Sequence, residues 1–250
     1  FTDERREMVG INSVQDLING RAPGVVVMPG TGMVGAGSKI RIRGMSSFSL
    51  SGDPLIYVDG IRVNNETGSG LSVQAFGAGV VSRLNDFNPE EIASIEILKG
   101  PAAATLYGTE AARGVINIIT KRGAASGTQY AFTVKQGSNW LQDAADRVPI
   151  NDGLDPSGVV QSVNVYETEK ARGTPIFRAG KLGGYSGNVS GGANALRYFV
   201  SADVTDDQGI EPNNERRQFS GRTNLSIAPN PLFDLQTSLG YVDSHTSLSC

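Results

Sequence analysis

The stretch Ile95–Gly123, IEILKGPAAATLYGTEAARGVINIITKRG, decides the fold of the first half of the chain. Ile95, Ile97 and Leu98 on one side, and Val115, Ile116, Ile118 and Ile119 on the other, form apolar, β-branched runs that read as short buried strands. Between them lies a centre of small residues. Pro101 suits the first position of a helical turn, Ala102, Ala103, Ala104 and Leu106 favour the helix, and Gly108 can take the left-handed conformation that ends it. The reading is strand, helical turn, strand, with Gly100, Gly108 and Gly114 in tight backbone positions around the connector.

Just upstream, Asn88 can cap a helix whose first turn is Pro89, Glu90 and Glu91, with both carboxylates placed favourably against the helix dipole. Further back, KIRIRG (Lys39–Gly44) alternates charge with isoleucine, and PLIYVDGIRV (Pro54–Val63) reads as two strand halves around an Asp59–Gly60 turn. Residues 1–123 therefore read as one small domain of mixed sheet and short helices.

After Gly123 the texture changes to alternation without helical signals. Tyr130, Phe132 and Val134 alternate with Ala131, Thr133 and Lys135. Tyr198, Val200, Ala202 and Val204 share an apolar face opposite Arg197, Ser201, Asp203 and Thr205. The predicted strands are 128–136, 185–193, 196–206, 216–228 and 232–242, separated by alternately long and short connections, the longest a loop over 137–184. Transmembrane barrels show this asymmetry, with strands of roughly 9–11 residues. The parity puts Val200, Phe219, Leu225 and Ile227 against lipid and Ser220, Arg222 and Asn224 inside. On this reading Val200→Arg meets hydrocarbon, whereas Ser201→Arg faces a wet interior or the N-terminal domain.

Composition narrows the function classes. The chain has 250 residues, 32 of them glycine and only one tryptophan, which suits turn-dense β structure. A net charge of −3 offers no basic field for nucleic acid. The one cysteine, Cys250, excludes a disulfide framework within this sequence. No run approaches the roughly 18 apolar residues of a membrane helix. The chain opens on Phe1 and without a signal peptide, which suggests a processed or partial chain.

Gly30, Gly32 and Gly35 in VVVMPGTGMVGAG have dinucleotide-motif spacing, but that motif needs a helix to start at the glycines, and strand resumes by Ser38–Arg43 instead. A flexible loop is expected. No hydrolase or metalloprotease motif is present, and the single His245 reads as a barrel or loop residue. Asp143, Asp146, Asp152 and Asp155 lack calcium-loop spacing. The expectation is no enzyme, no cofactor and no metal.

RIRGMSSF, DPLIYVDGIRV and FNPEEIASIEILKGPAAATLYGTEAARGVINIITKRG together resemble the plug domain of TonB-dependent outer-membrane receptors, in particular the SusC/RagA-like branch, over most of residues 11–123. YFVSADVTDDQGIEPNNERRQFSGRTNLSI is similar to the first barrel strands of that branch. The resemblance implies an α+β plug domain over 1–123, then antiparallel strands of a transmembrane β-barrel over 124–250, about five of the roughly 22 in the family. It implies import of a nutrient such as an oligosaccharide or peptide, with the plug gating the barrel. A ferric-siderophore or cobalamin receptor is the alternative, or a binding or structural protein that does not transport. The implied partners are the inner-membrane TonB complex, a SusD-like surface lipoprotein, outer-membrane lipid and a small nutrient ligand, in a Gram-negative-type outer membrane.

Residue by residue, Asp59, Gly60, Lys99, Gly100, Pro101, Tyr107, Gly108 and Gly114 fall in the plug's structural motif. Arg41 and Arg43 share a strand face, and in an enclosed plug their guanidinium groups are expected to pair with barrel carboxylates. Ser46, Ser47, Phe48 and Ser49 form a hydroxyl-rich loop with one aromatic, suited to contacting a sugar or peptide.

Overall fold

A computed structural model describes residues 13–28, 30–42, 53–64, 82–124, 127–154, 156–193, 195–230 and 232–248. Helix α1 (Val14–Ile18) opens on a reciprocal cap: the Ser13 hydroxyl accepts from the Asp16 N–H while Asp16 accepts from the Ser13 N–H. Strands β1 (Val25–Met28) and β2 (Lys39–Ile42) pair antiparallel. Residues 30–38 between them carry neither helix nor strand, so no helix begins at Gly30 or Gly32.

Strands β3 (Leu55–Val58) and β4 (Ile61–Val63) meet across Asp59 and Gly60, both at positive φ (50° and 85°), as a type I′ hairpin turn requires. Two 3-10 turns, Arg83–Asp86 and Pro89–Glu91, lead into β5 (Ile92–Leu98). Helix α2 (Pro101–Tyr107), a further 3-10 turn (Thr109–Arg113) and β6 (Val115–Thr120) follow. The sheet order is β4-β3-β6-β5, mixed because β3 runs parallel to β6 while the other pairs are antiparallel. Ile56, Val58, Ile95, Ile116 and Ile118 pack with Val14, Ile18 and Leu84 as its core.

The helix expected after Asn88 is only one 3-10 turn. Asn88 does accept from the Glu90 N–H, but the chain turns into β5 at Ile92. Glu90 and Glu91 thus have no helix axis to complement, and they serve a different purpose described below.

Gly100, Gly108 and Gly114 have φ of 52°, 84° and 102°. They differ in surroundings. A Cβ on Gly108 would meet nothing within 4 Å, whereas one on Gly114 would lie 2.7 Å from Ile42 Cδ1 and 3.0 Å from the Leu98 carbonyl oxygen. Gly108→Ala should cost only backbone strain, about 1–3 kcal/mol. Gly114→Ala should add a clash to that, so thermal unfolding of the full-length protein should show the larger drop for Gly114→Ala; equal drops would mean the contact with Ile42 relaxes freely.

The second half is a five-stranded antiparallel sheet of β7 (Gln129–Asn139), β10 (Gly180–Ala193), β11 (Leu196–Gln208), β12 (Glu215–Asn230) and β13 (Phe233–Ser247), ordered β13-β12-β11-β10-β7. At 11 to 16 residues these strands mostly outrun the expected 9–11. The connection between β7 and β10 holds α3 (Ala144–Arg147), a hairpin of β8 (Ile150–Leu154) and β9 (Val160–Asn164), and α4 (Val165–Arg172). The absence of helix after Gly123 was therefore misread. Asn164 caps α4 by accepting from the Glu167 N–H, Lys170 and Arg172 occupy its last turn, and Gly173 ends it at φ 81°.

Register fixes which side chains share a face. Tyr130, Val189, Val200, Thr223 and Leu239 lie on one rung, and Val134, Tyr185, Val204, Phe219 and Asp243 on another. All of these but Val189, Thr223 and Asp243 are large apolar side chains left exposed on one face, Tyr130 at 78%, and Phe132 between the two rungs is 74% exposed on the same face. Along β11 this face runs from Leu196 to Val204, about 26 Å at roughly 3.3 Å per residue, close to the roughly 25 Å apolar band of a membrane barrel. Its charged border follows at once, where Arg217 lies 3.6 Å from Asp206 with His245 opposite Arg217 in register.

Candidate functional site

The opposite face of the five strands is polar and covered by the N-terminal domain. Ser186, Ser201, Asp203, Gln218, Ser220, Arg222 and Asn224 are all buried there. Phe199, at 1% exposed, is a buried apolar side chain on the same face.

Burial of a guanidinium demands partners. Arg222 donates from Nε to Glu91 Oε2 at 2.9 Å and has Nη1 3.8 Å from Asp59 Oδ2. Its guanidinium carbon also sits 5.9 Å from the Phe87 ring centre. Glu91 is fixed from both sides, since the Ser201 hydroxyl donates to Oε1 at 2.6 Å and its own carbonyl accepts from the Lys121 N–H at 2.7 Å. Asp59 accepts from the Thr120 N–H at 2.9 Å and the Thr120 hydroxyl at 2.6 Å. The hairpin turn thereby presents one carboxylate to β6 and to the wall at once.

Neighbouring contacts extend this arrangement into a seam. Glu90 Oε2 accepts from Ser186 at 2.8 Å and Thr133 at 3.2 Å, with Lys135 Nζ 4.0 Å from Oε1. Asn224 donates to Thr120 Oγ1 at 2.9 Å and to the Lys121 carbonyl at 2.7 Å. Arg216 and Gln218 donate to the carbonyls of Asn85 and Asp86. Arg122 donates to Gln236. Two cavities of about 350 and 340 Å³ flank the seam, one bordered by Arg122, Arg197 and Arg222, the other by Lys135, Asp203 and Arg216.

The residues singled out in the sequence distribute as follows. Arg41 is half-buried on β2 and has no carboxylate partner among the described residues; Arg43 and Ser46, Ser47, Phe48 and Ser49 lie outside them. Asp59 is in the seam, with Gly60 completing its turn. Lys99 donates to the Pro23 carbonyl at 2.6 Å, and Tyr107 packs on Tyr57 with ring centres 4.9 Å apart. Gly100, Pro101, Gly108 and Gly114 frame α2, away from the wall contacts. Sequence reading missed Glu90, Glu91, Ser201 and Thr120 as seam residues. It placed Arg222 inside but without a partner. The available signal was the pair of acidic residues directly before β5, opposite an inward-facing arginine. Among the described residues no group of three or more His, Cys, Asp or Glu side chains is placed to hold a metal ion.

Known proteins share this sequence pattern and fold. Residues 1–115 match the family model described as the TonB-dependent Receptor Plug Domain. The chain is 31% identical over 242 residues to the TonB-dependent receptor SusC of Bacteroides thetaiotaomicron, covering 90% of this chain and 22% of SusC. It is 36% identical over 235 residues to TonB-dependent receptor P26 of Formosa agariphila, covering 87% and 22%. The structure of the RagAB peptide importer in its closed-closed state superposes with a TM-score of 0.73 at 21% identity, over 95% of this chain and 29% of that one. The ferric enterobactin receptor PfeA gives 0.60 at 21% identity, over 94% and 31%. The chain thus spans about a fifth of the length of these curated relatives. The matches to the plug family model and to SusC mean that the chain belongs to the TonB-dependent receptor family, as a plug domain seated against five strands of the barrel.

Proposed function

We propose that the receptor containing this chain imports a nutrient, an oligosaccharide or a peptide, across the outer membrane, with residues 1–123 acting as the gate and 124–250 as wall. The observation that supports this most is the seam itself: a plug held to the lumen wall by Glu91–Arg222 and its neighbouring hydrogen bonds is seated by contacts that water can replace. The RagAB peptide importer, which shares the fold, supports the nutrient class. Pairing of Arg41 and Arg43 with carboxylates elsewhere on the barrel, contact of Ser46–Ser49 with ligand, energising by a TonB complex and a SusD-like lipoprotein partner belong to the same proposal.

The test is growth of the source bacterium lacking the receptor, on single oligosaccharides and on peptides as sole nutrient. Loss of growth on one of these, restored by the full-length receptor, is expected. Normal growth on all of them, with a defect only when iron or cobalamin is limiting, would replace this reading with the siderophore or cobalamin alternative.

A further inference from the structure

Asn214 lies in the turn joining β11 to β12 and is 1% exposed. Its amide pairs with the backbone of Val34 as a neighbouring strand would: the Val34 N–H donates to Oδ1 at 2.8 Å, and Nδ2 donates to the Val34 carbonyl at 3.1 Å. Nδ2 also reaches the Ser247 carbonyl at 2.9 Å, so both amide hydrogens are used. The segment it grips, residues 30–37, has no helix or strand of its own. It runs so close to the wall that a Cβ on Gly35, at φ 79°, would lie 2.6 Å from Thr246 Cγ2.

The same segment is held from its other side by Asn85. Asn85 Nδ2 donates to the carbonyls of Gly35 at 3.1 Å and Ala36 at 3.4 Å, and Oδ1 accepts from Gln15 Nε2 at 2.8 Å. Gln15 lies on α1, 3% exposed, and its Oε1 has no hydrogen-bond partner among the described residues. A planar amide bonded at both ends cannot follow the segment without turning away from Gln15, whose own amide is buried. The turn is tied in its own right to the end of the long β7–β10 connection, where the Arg178 N–H donates to the Ile210 carbonyl at 2.7 Å and Nε to the Gly209 carbonyl at 3.3 Å.

From this chain of contacts we infer that Asn214 is a positioning residue coupling the β11–β12 turn to helix α1, with Asn85 as the link. A displacement of the turn is passed to the first helix of the plug without passing through the sheet. The coupling joins two segments of this chain and stands whether or not the receptor imports a solute.

Hydrogen exchange on the full-length receptor tests it without any ligand. Asn214→Ala should speed exchange in residues 30–37 and in α1 by about tenfold, the effect of emptying one buried hydrogen-bonded amide, while α2 stays unchanged as an internal reference. Asn214→Ser keeps one short hydroxyl in place of the amide and should fall between; it reads the same peptides if the alanine variant fails to assemble. Adding Asn214→Ala to Asn85→Ala should leave α1 no faster than Asn85→Ala alone, because the link is already cut. Faster exchange confined to 30–37, an additive double variant, or equal acceleration in α1 and α2 would each overturn the coupling.

Discussion

Arg222→Ala in the full-length receptor should loosen the plug more than any other single change in the seam. The substitution leaves the Glu91 and Asp59 carboxylates buried without their cation. Breaking a buried pair from one side costs about 3–5 kcal/mol, and the figure is an upper bound here because Glu91 keeps Ser201 and Asp59 keeps Thr120. Neutralising the partners as well should recover most of the loss, so Arg222→Met combined with Glu91→Gln and Asp59→Asn is expected to unfold near the wild-type temperature. The measurement is limited proteolysis of the plug within the assembled receptor, alongside the unfolding midpoint. Wild-type resistance of Arg222→Ala would mean that the seam's hydrogen bonds hold the plug without the ion pair.

The second large effect lies on the other face of the sheet. Val200 is outward, 44% exposed and central in the apolar band. An arginine there meets hydrocarbon near mid-membrane at a cost of about 2–4 kcal/mol, so Val200→Arg should reach the outer membrane as folded receptor in clearly reduced amount. The inward control cannot be Ser201, as the alternation alone had suggested. Ser201 is 7% exposed and its hydroxyl is committed to Glu91, so an arginine has no room. Ser244, exposed and opposite Gln218 on the inner face, takes its place. Equal yields of Val200→Arg and Ser244→Arg would argue that the apolar face does not meet lipid.

What the sequence made legible was whatever depends on neighbours a few residues apart. Period-two alternation located all five long strands, and Asp59–Gly60 marked its hairpin because few residue pairs tolerate two positive φ values. The connector around Ala102–Leu106 was readable from propensity. Helix α4 was missed although its cap, last-turn cations and terminal glycine are all present, because the surrounding alternation dominated the reading. The seam was illegible for another reason. Arg222 and Glu91 are 131 residues apart, and nothing local to PEE says whether its carboxylates serve a helix terminus or a distant wall. The expected polarity of pairing, plug arginine to barrel carboxylate, is reversed in the described contact, where the wall supplies the cation.

The chemistry of that contact also determines how the two parts can come apart. Had the plug met the wall through leucine and phenylalanine, separating them would open two oily surfaces to a wet lumen, at a cost growing with every square ångström uncovered. The wall instead offers Ser186, Ser201, Gln218, Arg222 and Asn224, and the plug answers with Glu90, Glu91, Thr120 and backbone carbonyls. Losing one partner strands the other in a dry closed state, but parting the surfaces together lets water take every vacated bond. The seam is thus brittle toward mutation yet cheap to unzip, which is what the gating role proposed for residues 1–123 requires.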